Sequence, residues 1–245
     1  MVTLLENGSL AQEEITVHSY DCDKEQNMRP SAILRYLQEI AGAHCALLGM
    51  DYDHLAKNDG VFLIVRQSMN LYRIPKKDEV LLLSTWHRGT KGVQSYRETQ
   101  ITTRDGEVLV DSTGVWILAH VSDHRIWRPS DFTAFQIPHR PEPVLPTRPE
   151  KLRAPAEMEA IGFRPIRYTD IDYNRHVNNC VYADILCDFM PGGMEGKKLS
   201  TLDIAYIAEA KEGDTLRILA QECENGLWMR GEHERGKCFE IHCTF

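Results

Sequence analysis

The sequence repeats one order of predicted elements twice, and this repeat limits the folds that the chain can adopt. Each half has a strand, a polar turn and a helix, followed by about four strand-like runs. Short runs also match between the halves, such as MNLYRIPKKDEVLLL and LDIAYIAEAKEGDTLRIL. The pattern indicates a tandem duplication of one α+β unit. Sheets of the two units can pair edge to edge, which removes an exposed edge from each.

The first half begins with a predicted strand from Ile15 to Tyr20. The run from Ser31 to Leu48 has apolar residues at helical spacing, and Ser31 is placed to cap this helix. Strands are then predicted over 61–72, 79–86, 94–103 and 108–119, with turn residues between them. This spacing favours an antiparallel sheet of hairpins with the helix packed on it.

The second half repeats this order after a proline-rich segment. Seven of the eleven prolines fall within 123–157, a composition typical of an extended linker. A strand is then predicted over 163–170, a helix over 180–190, and strands over 199–207, 215–223, 227–234 and 238–245. We therefore predict an N-terminal domain at 1–125, a linker at 126–157 and a C-terminal domain at 158–245.

Polar groups of catalytic type are concentrated between the strand and the helix of the second half. Asp172, Asn174 and His176 alternate, so an extended backbone would point all three side chains to one side. Asn178 and Asn179 follow, where an Asn can cap the helix and free N–H groups can stabilise an oxyanion. An ordinary polar turn also explains such a cluster. The matching turn of the first half has neither His nor an Asn pair, which favours a single active site.

Two further residues are candidates for the chemistry. Glu209 lies at the end of a predicted strand, and it is either a solvent-facing carboxylate or a general base near His176. Cys180 adjoins the cluster and could act as a nucleophile if its pKa were lowered. A buried structural role is the ordinary one for cysteine, and we favour it here.

Composition excludes several classes of protein. A net charge of −8 and a pI near 5.7 argue against nucleic acid as the main partner. No run is apolar enough to span a membrane, and residues 1–14 lack the features of a signal peptide. The seven scattered cysteines suit reduced thiols in the cytoplasm. No nucleotide-binding loop, serine-hydrolase elbow or metal-ligand spacing occurs, so we expect no cofactor and no metal.

The run DYNRHVNNCVY at 172–182 resembles the D-x-N-x-H-V-N-N-x-x-Y signature of acyl-acyl carrier protein (acyl-ACP) thioesterases. The runs SYDCDKEQNMRPSAILRYLQEIA, MNLYRIPKKDEVLLLSTW and DSTGVWILAHVSDHRIWRP also resemble parts of these plant and bacterial enzymes. The resemblance implies a tandem hotdog, with two antiparallel sheets each wrapped on a central helix. It implies that Asp172, Asn174, His176 and Glu209 are the catalytic residues. Many plant members have Cys where this chain has Ala210, so the resemblance favours water as the nucleophile.

The resemblance further implies hydrolysis of fatty acyl-ACP to free fatty acid and holo-ACP, as in fatty acid biosynthesis. The N-terminal domain would hold the acyl chain, with the strand VFLIVRQSM and the helix residues Ile33, Leu34, Leu37 and Ile40 as walls. The acidic carrier would dock on basic residues, and the chain would act as a monomer or homodimer. The candidates for docking are Lys76, Lys77, Arg125, Arg128, Arg140, Arg148, Lys151 and Arg153.

Three alternatives remain open. An acyl-CoA thioesterase of the hotdog fold would use the same chemistry on another carrier. A hotdog enoyl hydratase would need D-x-N-P-x-H, but His176 is one residue closer to Asn174 and no Pro intervenes. A non-catalytic acyl-binding hotdog protein would tolerate loss of the polar cluster, whereas this chain has the cluster complete.

Overall fold

A computed structural model of the chain describes residues 1–123, 125–128, 137–145 and 149–245. Within the first half it contains β1 (Thr3–Leu5), β2 (Leu10–Thr16), α1 (Pro30–Leu47), α2 (Tyr52–Lys57), β3 (Gly60–Leu71), β4 (Val80–Lys91), β5 (Gln94–Thr103) and β6 (Val108–His120). The second half contains β7 (Glu159–Pro165), α3 (Val181–Asp188), β8 (Thr201–Tyr206), β9 (Thr215–Cys223), β10 (Gly226–His233) and β11 (Gly236–Thr244). Single 3₁₀ turns lie at Glu6–Gly8, Ser19–Asp21 and Tyr168–Asp170.

All these strands belong to one antiparallel sheet, in the order β1-β2-β4-β5-β6-β3-β8-β11-β10-β9-β7. The halves join where β3 pairs with β8, with Arg66 opposite Ala205 and Asn70 opposite Thr201. On either side of this junction the strands follow the same order, so β2-β4-β5-β6-β3 corresponds to β7-β9-β10-β11-β8. The predicted edge pairing of two duplicated units is therefore confirmed.

The two longer helices pack on this sheet and contact each other. Buried apolar residues from both halves form one core, in which Ile33 and Leu37 of α1 join Ile185 of α3 and Phe239 of β11. Each half thus wraps its part of the sheet on one helix, which is the tandem hotdog arrangement expected from the sequence.

The start of α1 differs from the prediction. The helix begins at Pro30, and Arg29 precedes it without a capping side chain. Proline suits the first helical position because the N–H that it lacks would have no partner there. Ser31 was predicted to cap the helix, which is wrong. It lies within the first turn, is 1% exposed, and its hydroxyl has no hydrogen-bond partner in the described part of the chain.

Other differences are local. The first predicted strand lies earlier, at Leu10–Thr16, and β1 pairs with it. The short helix α2 was not predicted, and the Asp51 carboxylate caps it by accepting the His54 N–H at 2.8 Å. Within 126–128, 137–145 and 149–157 the described residues form no helix and no named strand, and the domain boundaries themselves stay a prediction. No described helix is both long and apolar enough to cross a bilayer.

Candidate active site

The segment 170–178 is a closed turn and not a strand. The Asp172 N–H donates to the His176 carbonyl at 2.9 Å, and the Arg175 N–H donates to the Asp172 carbonyl at 3.0 Å. Arg175 closes the turn with a φ of +67°. The prediction that an extended backbone aligns Asp172, Asn174 and His176 is therefore wrong. The turn nevertheless brings all three to the wall of one cavity.

His176 and Glu209 form the central contact of this site. His176 Nε2 lies 2.9 Å from Glu209 Oε2, with the two side chains 26% and 38% exposed. A main-chain bond sets this proximity, because the Val177 N–H donates to the Ala210 carbonyl at 2.9 Å. His233 Nε2 lies 3.2 Å from the Glu209 carbonyl oxygen and holds the same segment from its other side. Of the two alternatives left open for Glu209, the structure therefore has the one in which it lies beside His176.

Asp172 supports the turn through its own side chain. Its carboxylate accepts the Asn174 N–H at 2.8 Å, a local bond that Asp makes readily in turns. No hydrogen bond joins the Asp172 carboxylate to the His176 ring within the described residues. Asp172 therefore orients the backbone that carries Asn174 and His176.

The cavity beside these residues has a volume of about 970 Å³, at the upper end of the range for ligand sites. Asp172, Asn174, His176 and Glu209 line it at one side. The remaining wall comes largely from the first half, including 41–43 of α1, Leu55 of α2, and 61–65 of β3. The strand VFLIVRQSM contributes to the wall as predicted. The helix residues Ile33, Leu34, Leu37 and Ile40 do not line this cavity and are buried in the core.

The first half contains a second copy of the turn at 170–178. There the Asp23 N–H donates to the Asn27 carbonyl at 2.9 Å, and the Asp23 carboxylate accepts the Glu25 N–H at 2.8 Å. Gln26 has a φ of +64°, close to that of Arg175. The Met28 N–H donates to the Pro75 carbonyl at 2.8 Å, as Val177 does to Ala210.

The matching bonds identify the equivalent positions of the two copies. Asp23 matches Asp172, Glu25 matches Asn174, and Asn27 matches His176. Ile74, which precedes Pro75, matches Glu209. The first copy therefore keeps the turn but has neither the imidazole nor the second carboxylate, and only the second copy has both groups.

The backbone N–H groups at the start of α3 also differ between the copies. The N–H groups of Asn178, Cys180 and Val181 all donate within the protein, that of Cys180 to Asn178 Oδ1 at 2.9 Å. The Asn179 N–H has no acceptor among the described residues, and Asn179 lines the cavity. The equivalent residue of the first copy is Pro30, which has no N–H. Asn178 thus satisfies the helix start, and Asn179 offers the free donor.

Cys180 does not have the environment of a nucleophile. Its side chain is 4% exposed, and burial raises the pKa of the thiol to about 12. A nucleophilic cysteine needs a lowered pKa, so the structural role favoured from the sequence is supported. All seven cysteines of the chain are free thiols. No group of three or more His, Cys, Asp and Glu side chains in the described residues is placed to hold a metal ion.

Two family models match this chain, and together they cover most of it. The acyl-ACP thioesterase N-terminal domain matches residues 8–134, and the acyl-ACP thioesterase C-terminal domain matches residues 154–242. The chain belongs to the acyl-ACP thioesterase family. This agrees with the resemblance carried by the signature at 172–182.

Among curated relatives, the chain is similar to chloroplastic oleoyl-acyl carrier protein thioesterase 2 of Arabidopsis thaliana. The two are 25% identical over 235 residues, which are 88% of this chain and 64% of the relative. A chloroplastic palmitoyl-acyl carrier protein thioesterase of Gossypium hirsutum is 24% identical over 231 residues, or 88% of this chain and 56% of that one. The chain thus spans less than two thirds of the length of these relatives.

Solved structures share the fold. An acyl-ACP thioesterase from Bacteroides thetaiotaomicron superposes with a TM-score of 0.90 at 18% identity, over 99% of this chain and 100% of that one. A putative oleoyl thioesterase from Lactobacillus plantarum gives a TM-score of 0.83 at 24% identity, over 98% and 97% of the two chains. Similarity at these identities establishes the tandem hotdog fold.

Proposed function

We propose that this chain hydrolyses the thioester of fatty acyl-ACP and releases a free fatty acid and holo-ACP. The observation that carries the proposal is the His176–Glu209 contact of 2.9 Å at the wall of a large cavity, in a chain of this family. The relatives described above are named for oleoyl- and palmitoyl-acyl carrier protein, which favours the same carrier here. The role would be in fatty acid biosynthesis in the cytoplasm.

In this mechanism Glu209 and His176 together orient a water molecule and accept its proton. The water oxygen bonds to the thioester carbon, the C–S bond breaks, and the proton passes to the departing pantetheine sulfur. A positioned general base contributes about 10²–10⁴ to the rate. With Cys180 buried and Ala210 beside Glu209, no cysteine of the cluster supplies a competing nucleophile.

The thioester oxygen needs donors as it becomes an oxyanion. The Asn179 N–H is directed to no protein acceptor among the described residues, and Asn174 lines the same cavity. We assign the binding of the oxyanion to the Asn179 backbone N–H and the Asn174 side-chain amide. Asp172 acts as a positioning residue, since its carboxylate holds the Asn174 N–H.

The carrier would dock on a local basic surface, and the predicted candidates now fall into groups. Lys77 pairs with Asp78 at 2.6 Å, Arg125 pairs with Asp123 at 2.6 Å, and Arg140 lies near Glu6 and Glu142. Arg148 lies outside the described residues. The candidates without an ion pair in the described part of the chain are Lys76, Arg128, Lys151 and Arg153. These are the better candidates, because an acidic partner need not displace a carboxylate from them.

A hydrolysis panel tests this proposal. Acyl-ACP and acyl-CoA substrates of several chain lengths are compared, with the released thiol as the readout. We expect a higher kcat/KM for acyl-ACP at every accepted length. Higher values for acyl-CoA would favour the acyl-CoA thioesterase, and no turnover on either carrier would favour an acyl-binding protein.

The catalytic pair is tested with Glu209→Ala and His176→Ala. Each should lower kcat by orders of magnitude while the thermal unfolding midpoint stays near that of the parent chain. Ile74→Ala is the matched control, because it changes the equivalent position in the first copy. Hydrolysis near the parent rate by either catalytic variant would refute the assignment.

A further inference from the structure

The cavity that begins at the catalytic pair is also lined by polar side chains from other elements of the fold. Arg97 of β5, His87 of β4 and Cys45 of α1 all contribute to its wall. Arg97 is 8% exposed and His87 is 7% exposed, so both are more than nine-tenths buried. Neither residue has a part in the hydrolysis described above, and an alkyl chain offers them no hydrogen bond.

Arg97 has only neutral partners. Its Nη1 donates to His44 Nδ1 at 3.0 Å and to Thr85 Oγ1 at 3.4 Å, and its Nη2 donates to Cys45 Sγ at 3.4 Å. Burial, followed by the charge of Arg97, lowers the pKa of His44 to about 4, so that ring is neutral at pH 7. Among the described residues no carboxylate oxygen lies within 4.0 Å of the Arg97 guanidinium.

The neighbouring carboxylate does not compensate this charge. Glu98 follows Arg97 in the strand and therefore points to the opposite face of the sheet. There Glu98 pairs with Arg88 at 2.8 Å and accepts a hydrogen bond from Thr113 Oγ1 at 2.6 Å. Within the described residues the Arg97 charge therefore has no partner of opposite sign, and such a buried charge is costly. The cavity therefore presents a cation that an anionic or strongly accepting group would stabilise.

His87 strengthens this conclusion independently. Its Nδ1 is buried and has no hydrogen-bond partner in the described part of the chain. The Nδ1 atom of His87 thus lacks the bond that buried polar atoms normally have. Arg97 and His87 together form what we call the polar end of the cavity.

We infer that this polar end binds an oxygen substituent at the distal end of the acyl chain, so that the enzyme prefers ω-carboxy or ω-hydroxy acyl thioesters to unsubstituted ones. Arg97 would donate to that oxygen, and a carboxylate would bind more tightly than a hydroxyl because its hydrogen bonds are charge-assisted. The inference rests on the proposed function only for the thioester at the other end of the chain.

The sheet gives the separation between Arg97 and β8, the strand that leads to Glu209. Arg97 lies opposite Gly114, Gly114 opposite Gln67, and Gln67 opposite Ile204, which places Arg97 three strands from β8. Strands are about 4.8 Å apart, so this distance is about 14 Å. An extended chain spans about 3.3–3.6 Å for every three bonds, so about 12 bonds cover this separation. Chains of about 10–14 carbons are therefore the ones to compare.

The test is equilibrium binding of N-acetylcysteamine thioesters to the full chain carrying Glu209→Gln, which blocks turnover. The probes are the monothioester of dodecanedioic acid, the thioester of 12-hydroxydodecanoic acid and the thioester of dodecanoic acid. We expect the ω-carboxy probe to bind about 10- to 100-fold more tightly than the unsubstituted one. Arg97→Met should remove that ratio, and Arg104→Met, which changes an exposed arginine paired with Glu14, should not.

Several results would overturn the inference. Equal or tighter binding of the unsubstituted probe would do so, and so would a ratio unchanged by Arg97→Met. Equally tight binding of inorganic phosphate would reveal a general anion site only. If Arg97→Met does not fold, Arg97→Lys keeps the charge but loses the planar fork, and it should lower the ratio. Hydrolysis of the three probes by the parent chain is measured separately, so failure of the proposed function remains distinguishable.

Discussion

Asn179→Pro should abolish most of the hydrolytic activity, because it removes one backbone N–H that can donate a hydrogen bond. The Asn179 N–H is the free donor at the start of α3, and proline has none. Loss of one oxyanion donor lowers kcat by about 10²–10³, or about 2.7–4 kcal/mol of transition-state stabilisation. The backbone should accept the change, because the equivalent residue of the first copy is Pro30 and its helix begins there.

The matched control is Asn179→Ala, which removes the side chain and keeps the N–H. Steady-state hydrolysis of acyl-ACP, measured beside thermal unfolding of both variants, separates chemistry from folding. We expect kcat near the parent value for Asn179→Ala and the full loss for Asn179→Pro, with little change in KM. If a folded Asn179→Pro protein retained activity within about tenfold of Asn179→Ala, the backbone donor would have no such role.

Three further outcomes follow from the geometry. Asp172→Asn should keep most of the activity, because Asn also forms the local turn bond. Asp172→Ala should lower kcat/KM about 10²-fold, because the turn that carries Asn174 and His176 is then misplaced. Asp23→Ala changes the equivalent position in the first copy, and it should affect only the unfolding midpoint. Full inactivation by Asp172→Asn would instead mean that the charge itself is required. Cys180→Ala should retain kcat, since burial keeps the pKa of the thiol at about 12, and a large loss in a folded variant would contradict this. Burial lowers the folded-state pKa of His44 to about 4 and that of His87 to about 3. As the pH falls below about 6.5, the unfolded chain therefore protonates these two histidines while the folded chain keeps them neutral. Stability should therefore decrease by about 2 kcal/mol per histidine between pH 7.5 and pH 5, and urea unfolding of His87→Phe should show about half that loss.

The long, strongly patterned elements were predictable from the sequence. The helix α1 and the strands from Gly60 to His120 follow apolar periodicity, and their predicted bounds differ from the observed ones by a few residues. The short helix α2 has only six residues, too few for a periodic pattern to distinguish it from a polar loop. At the start of α1, Pro30 and Ser31 are both helix-start signals, and the proline determines the first position because its φ is fixed.

The four candidate site residues were also identified from the sequence, but their geometry was not. A polar turn was predicted between the strand and the helix, but Asp172, Asn174 and His176 were expected to share one side of an extended backbone. The closed form of the turn was missed because it depends on Arg175 at positive φ. Arginine is not a residue that favours this conformation, so the sequence carries no local signal for it. The distance from His176 to Glu209 depends on the bond between Val177 and Ala210, which joins segments far apart in the chain.

The missing N–H in the first copy was visible in the sequence. Alignment of QNMRPS with RHVNNC places Pro30 opposite Asn179 and Asn27 opposite His176. A comparison of residue types alone overlooks this, because a proline before a helix is an ordinary start signal. The difference becomes a functional one only when the equivalent N–H is found at the wall of a cavity.

The two copies separate what the fold requires from what the chemistry requires. Both keep Asp at the start of the turn, a residue at positive φ and the main-chain bond from the turn to the following segment. These shared features close the turn regardless of activity. Asn174, His176, Asn179 and Glu209 are among the positions that differ, and each of these residues lines the cavity. The Asp is kept in the copy that lacks the imidazole and the second carboxylate, and there it makes the same bond to the turn. Backbone geometry therefore explains the retained Asp172 better than proton transfer does.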